Sequence, residues 1–141
     1  MISEMNKSYE QAVSALNAAF ANRYHSVAQY LLDAYPYVRP QDQDLLRRIQ
    51  AIAEYDRRES ERLSDLIEDL DGVPYVPPIA HEVAEWNYLA LTHLAVNLAD
   101  TLAKQLAQYE TLLPAVADVP VARRAMNDVC EALRKQIESL R

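Results

Sequence analysis

Four stretches of this chain carry apolar residues at the three-to-four-residue spacing of an amphipathic helix, and the prolines collect in or beside the short segments between them. The first stretch runs from about Ser8 to Tyr35 and is closed by Pro36 and Pro40 in YPYVRPQDQD. The second runs from about Asp42 to Leu70 and stops at Gly72, the chain's one glycine and the residue best able to turn left-handed past a helix end. A third is expected from about Ala80 to Leu113, ended by Pro114. A fourth is expected from Asp118, an N-cap with Pro120 in the first turn, to about residue 140. No alternating strand pattern, internal repeat or low-complexity tract is present. Residues 1–141 are therefore expected to form one all-α domain, a four-helix bundle.

Helical wheels assign the inward faces. Helix one presents Leu16, Phe20, Val27, Leu31 and Ala34, with Arg23 near the middle of the stripe. Helix two presents Ile49, Ile52, Ala53, Leu63, Ile67 and Leu70, with Asp56 at the centre and Glu59 on the rim. Helix three offers a core stripe of Leu89, Val96, Ala99, Ala103 and Leu106, and a second apolar face of Leu91, Leu94, Leu98 and Leu102. Helix one likewise has Ala18, Ala21, Ala28 and Leu32 opposite its core. Helices this apolar contact something beyond their own bundle, so a homo-oligomer is expected, most simply a two-fold dimer.

Composition narrows the partners. The net charge of −7 repels phosphate backbones, and no Lys/Arg cluster interleaved with aromatics opposes it, which argues against nucleic acid. The opening MISEMNKSYEQ has no apolar segment behind a basic one, and no apolar run is long enough for a membrane span. A single cysteine, Cys130, rules out an internal disulfide and suits a cytoplasmic location.

Arg23, Asp56 and Glu59 stand out because charges rarely occupy core stripes. A buried charge shifts its pKa, binds a metal or finds a counter-charge. A long side chain such as arginine can also snorkel to solvent, and for any one of the three alone that explanation weighs equally. Opposite signs on two helices favour pairing.

The run ESERLSDLIEDLDGVP, residues 59–74, resembles the second helix of ferritin-like proteins, bacterioferritin and rubrerythrin relatives in particular, where a metal-ligating His precedes Gly-x-Pro at this distance. RYHSVAQYLLDAY resembles their first helix, with Gln29 and Tyr30 six and seven residues after the position of a ligating Glu, and LALT at 89–92 resembles the third-helix segment that ends in a bridging Glu. The resemblance implies a ferritin-like bundle with a long crossover between helices two and three. It also implies a di-iron site built from one Glu on each of two helices and a Glu-x-x-His on each of the others.

Carried over position by position, the first-helix Glu is Arg23, the second-helix Glu-x-x-His is Asp56 and Glu59, and the third-helix Glu is Thr92. The fourth-helix pair is Asn127 and Cys130, or Met126 and Val129 if the register slips by one. Only Asp56 keeps its chemical type. Arginine stays protonated and has no lone pair to donate, so at Arg23 it would repel bound cations or else neutralise carboxylates in their place. An Arg23–Asp56/Glu59 ion-pair network in place of the di-iron centre is the resulting expectation. Tyr30 flanks this former site. Haem is disfavoured, because the Met that bacterioferritins place two residues before the His position is Arg57 here.

His25, His81 and His93 are scattered singly and read as surface or interface residues. Cys130 reads as a small buried hydrophobe, and Tyr9, Tyr30 and Tyr88 as packing residues. The connection GVPYVPPIA is short for a crossover, although a polyproline path of ~3.1 Å per residue would carry about nine residues across ~28 Å; a plain hairpin is the alternative topology. Two functional classes follow. The favoured one is a non-catalytic binding or assembly module with no cofactor. The other is a metalloprotein with a remodelled site of Asp56, Glu59 and Cys130 that holds iron or another divalent metal, for iron handling or oxidation. A small-molecule pocket lined by Thr92 and Asn127 is a third reading.

Overall fold

The expected first helix is two helices in the computed structural model, which describes residues 2–34, 36–78 and 89–141. α1 (Ile2–Tyr24) and α2 (Val27–Asp33) are separated by His25 and Ser26. Ser26 is extended, with φ −62° and ψ 119°, and its hydroxyl accepts the Gln29 N–H at 3.2 Å, so it acts as the N-cap of α2. The break shifts the phase of the apolar stripe. Leu16 and Phe20 are buried as expected, but beyond the break Ala28 and Leu31 are buried while Ala34 is exposed. The expected end at Tyr35 lies outside the described residues.

A single 3-10 turn, Pro40–Asp42, leads into α3 (Gln43–Asp69). The turn is fixed by the buried Asp42 carboxylate, which accepts the Arg39 backbone N–H at 3.1 Å and its Nε at 2.8 Å. α3 keeps the predicted stripe: Ile49, Ile52, Ala53, Leu63 and Ile67 are all buried. Its exit differs from expectation. The Gly72 N–H bonds the Ile67 carbonyl and the Asp71 N–H bonds that of Glu68, both at 2.9 Å, which is the paired closure of a Schellman turn. The left-handed residue is Asp71, φ 62°, and Gly72 has no positive φ. Gly72 serves close packing instead: a Cβ there would lie 2.6 and 2.8 Å from the two methyls of Val13 on α1.

A connection of about twenty residues, 70–90, follows. Its described part runs along α1. Asn17 accepts the Tyr75 N–H at 2.7 Å and donates to the Val73 carbonyl at 3.1 Å, and the His25 ring reaches the Pro77 carbonyl at 2.9 Å. Ala90 then pairs with Tyr37, close to the entry of α3. α4 (Leu91–Leu112) thus starts at the end of the bundle where α3 starts, and the two run in the same direction. The expected start of helix three at Ala80 falls among residues that are not described, as do His81 and Tyr88, but Leu89 and Ala90 are not helical. After a 3-10 turn at Leu113–Val116, α5 (Pro120–Leu140) has Val119 as its N-cap rather than the expected Asp118, with Pro120 in its first turn.

These elements make an all-α four-helix bundle in which α1 with α2 forms one broken rod. α1 packs chiefly on α3, and α4 on α5. The core face of α4 is centred on the second expected stripe: Leu91, Leu94, Leu98 and Leu102 are buried, and of the first stripe Ala99 is buried as expected, Leu89, Ala103 and Leu106 are half-buried against the core, and Val96 is 57% exposed. Burial volume explains the choice, since four leucines remove more apolar surface from water than two leucines, one valine and two alanines. Among the described residues, no helix is long and apolar enough to cross a membrane.

The α3 exit separates two effects that a glycine can have. Gly72→Ala should cost about 1–3 kcal/mol because Val13 must give way. Asp71→Gly should add up to about 1 kcal/mol by relieving the left-handed residue. Urea denaturation of the two variants checks both signs.

Candidate functional site

Arg23 sits in the last turn of α1, two residues before the break, and its side chain is 1% exposed. It points at Asp56 on α3, which is 2% exposed, and Arg23 Nη1 donates to Asp56 Oδ1 at 3.1 Å. The other carboxylate oxygen, Oδ2, accepts the Ser26 hydroxyl at 2.6 Å. Ser26 therefore caps α2 with its oxygen and holds Asp56 with its proton. Arg23 Nη2 donates to Gln105 Oε1 on α4. One turn on, the buried Tyr109 hydroxyl lies beside the guanidinium and accepts Asn22 Nδ2 at 2.6 Å. One polar cluster thus joins α1, α2, α3 and α4. Arg23 Nε alone is buried without a partner in it.

Charges here oppose and support one another. Burial pushes the Asp56 carboxyl above the usual aspartate range, and Arg23 with the Ser26 hydroxyl pulls it back only in part. Burial also works against the Arg23 charge, but Asp56, Tyr109 and Tyr55 outweigh it and hold the guanidinium more firmly protonated than usual. Burial likewise raises the phenols of Tyr109 and Tyr55. The arginine charge is thus balanced inside the bundle by one carboxylate, with an amide and a phenol beside it.

The other candidates fall elsewhere. Glu59 is buried but belongs to a different pair: its Oε1 accepts Arg62 Nε at 2.9 Å on the same helix, and Arg62 reaches Asp128 on α5 at 3.6 Å. The expected three-membered network is thus Arg23–Asp56 alone, because Arg62 lies one turn along α3 from Glu59 and takes it first. Thr92 and Asn127 are exposed, Tyr30 on α2 is half-buried, and Cys130 is buried on α5 with its thiol pushed up by that burial. His25 is half-buried against Pro77, His93 is exposed, and Tyr9 is 43% exposed rather than packed in the core.

Asn22, Ser26, Gln105 and Tyr109 went unseen in the sequence. The signal for two of them lies in α4: Gln105 and Tyr109 continue the spacing of Leu98 and Leu102, so taking the leucine face as core puts both inside. Asn22 and Ser26 flank Arg23 with no periodicity to mark them.

As a metal centre the donor set does not fit. Both Asp56 oxygens are engaged, and the adjoining group is a permanent cation. Among the described residues, no three His, Cys, Asp or Glu side chains gather as a metal-holding group.

Arg23→Met should destabilise the fold by about 3–5 kcal/mol, since it strands a buried carboxylate, and Arg23→Met with Asp56→Leu should cost less than the two singles summed. The pH dependence has a definite sign. A carboxyl raised by folding contributes stability that is complete below its unfolded value, about 4, and lost as pH climbs to the folded value. Removing Arg23 raises it further, so the Arg23→Met penalty should be largest at neutral pH and shrink toward pH ~4. Thermal melts across that range, read against wild type, measure it. No family model matches the chain, and neither a curated protein nor a solved structure matches it.

Proposed function

We propose that this chain is a ferritin-like bundle in which an arginine–carboxylate pair stands where relatives hold two irons, and that it acts as a non-catalytic binding or assembly module. The observation that carries this is the Arg23–Asp56 pair, buried and bonded to Gln105 and Ser26. The up, down, down, up course of the helices, with a connection of about twenty residues whose described part follows α1, is the topology that a ferritin-like crossover would have, and it supports the family half of the proposal. The chemistry supports the other half. A guanidinium balances Asp56 without any cation, and offers no electron pair, open coordination position or titratable proton for oxidation chemistry.

The alternative, a remodelled iron or other divalent site, would have to release Asp56 from Arg23 and Glu59 from Arg62 before either carboxylate could ligate. No observation favours it.

Elemental analysis of protein purified without added metal, and again after incubation with ferrous iron and gel filtration, tests the proposal. Substoichiometric metal in both samples is expected. Two transition-metal ions per chain that are lost on Asp56→Ala would overturn it.

A further inference from the structure

α4 keeps an apolar stripe that its own bundle covers only in part. Val96 is 57% exposed, and Ala103 and Leu106 are half-buried. Beside Ile137 of α5 these last two floor an open groove of about 530 Å³ between the antiparallel helices α4 and α5. At the ends of the groove the signs divide by helix: Asp100 and Glu110 stand on the α4 side, and Arg141 and Arg134 on the α5 side. The charges meet across the groove as loose pairs at its two ends, Asp100–Arg141 at 3.9 Å and Glu110–Arg134 at 3.7 Å, with all four side chains about half exposed or more. Glu138 lies between the two arginines on α5, one turn from each.

We propose that this groove is the face on which a second copy of the chain docks, around a two-fold axis parallel to α4 and α5. The charge pattern selects both the occupant and the axis. Two copies can place these faces together in two ways. An axis perpendicular to the helices lays α4 on the partner's α4 and α5 on the partner's α5, so acid meets acid and arginine meets arginine at each end. An axis parallel to the helices lays α4 on the partner's α5. Asp100 then meets a second arginine and Glu110 another, and each end becomes an alternating quartet of two carboxylates and two guanidiniums around a shared apolar floor. An isologous contact needs a self-complementary surface, and the four charges at the ends of this groove are complementary to themselves in that orientation alone. Long-range steering would also favour it over association through a uniformly acidic face, since the chain carries a net charge of −7.

The proposal replaces the earlier grounds for a dimer, since the leucines that suggested a second contact face are core. It stands whether or not the bundle binds a metal.

Charge exchange tests it, and the altered residues are exposed enough to leave folding intact. Sedimentation equilibrium of wild type at micromolar concentration should show a dimer that weakens with salt between about 0.05 M and about 0.5 M NaCl. Arg134→Glu and Glu110→Arg should each dissociate by roughly tenfold or more, because each alone builds a quartet of one sign. Mixed together, the two variants should form a heterodimer, since every charge then faces its opposite across the contact. Circular dichroism confirms that both remain folded. A monomeric wild type, which would leave the groove to a different partner, overturns the proposal. So do variants that stay dimeric, or a mixture that fails to associate.

Discussion

A guanidinium that is 1% exposed cannot send its charge to water, and the geometry of four helices follows from how the chain answers it. Arg23 takes one carboxylate from α3 and one amide from α4, so the phase of both helices about their axes is fixed relative to α1. The second carboxylate oxygen is taken by Ser26, whose hydroxyl oxygen also caps α2. A serine bonded in this way has left helical geometry, and that is a physical cause for a break in a rod that contains neither proline nor glycine there. The break and the ion pair are one feature.

The break in turn positions the connection. His25, released from the helix at the same point, bonds the Pro77 carbonyl, while Asn17 two turns earlier on α1 holds Val73 and Tyr75. Along α1 the order of contacts is therefore Val13 to Gly72, Asn17 to Val73 and Tyr75, and His25 to Pro77. The chain is led lengthwise by polar side chains on a single helix, with prolines supplying extended backbone that needs no donor. Contacts at three levels offset the conformational entropy lost when this stretch is ordered along α1.

How much of this could be read in the sequence depended on whether one helix or two had to be considered. The four rods, the α3 stripe and the anomaly of Arg23 and Asp56 are properties of single helices, and periodicity shows them. Ser26 as a break is not visible, because its cause is a carboxylate thirty residues away. The assignment of Glu59 to Arg62 instead of Arg23 turned on one local neighbour against one distant one, and the local one won. Gly72 was recognised as special for the wrong reason: the left-handed position fell to Asp71, and what Gly72 supplies is room for Val13 on another helix. α4 begins at Leu91 behind two residues, Leu89 and Ala90, that are not helical, although apolar spacing runs through Leu89.

α4 shows how a buried pair can decide what apolar patterning leaves open. Its two stripes are both plausible cores on spacing alone, and the leucines favour one of them by volume. Gln105, half-buried, and Tyr109, buried, lie on that same face, where polar groups without partners would carry a penalty. Arg23 removes the penalty: the inward rotation of α4 brings Gln105 to Nη2 and Tyr109 beside the guanidinium. The opposite rotation would bury Val96, leave Gln105 in solvent and leave a buried cation with one partner instead of several. Hydrophobic volume and polar satisfaction thus select the same face. The consequence reaches the surface, because turning the leucines inward leaves Val96 exposed and Ala103 and Leu106 half-buried, the last two on the floor of the groove beside α5.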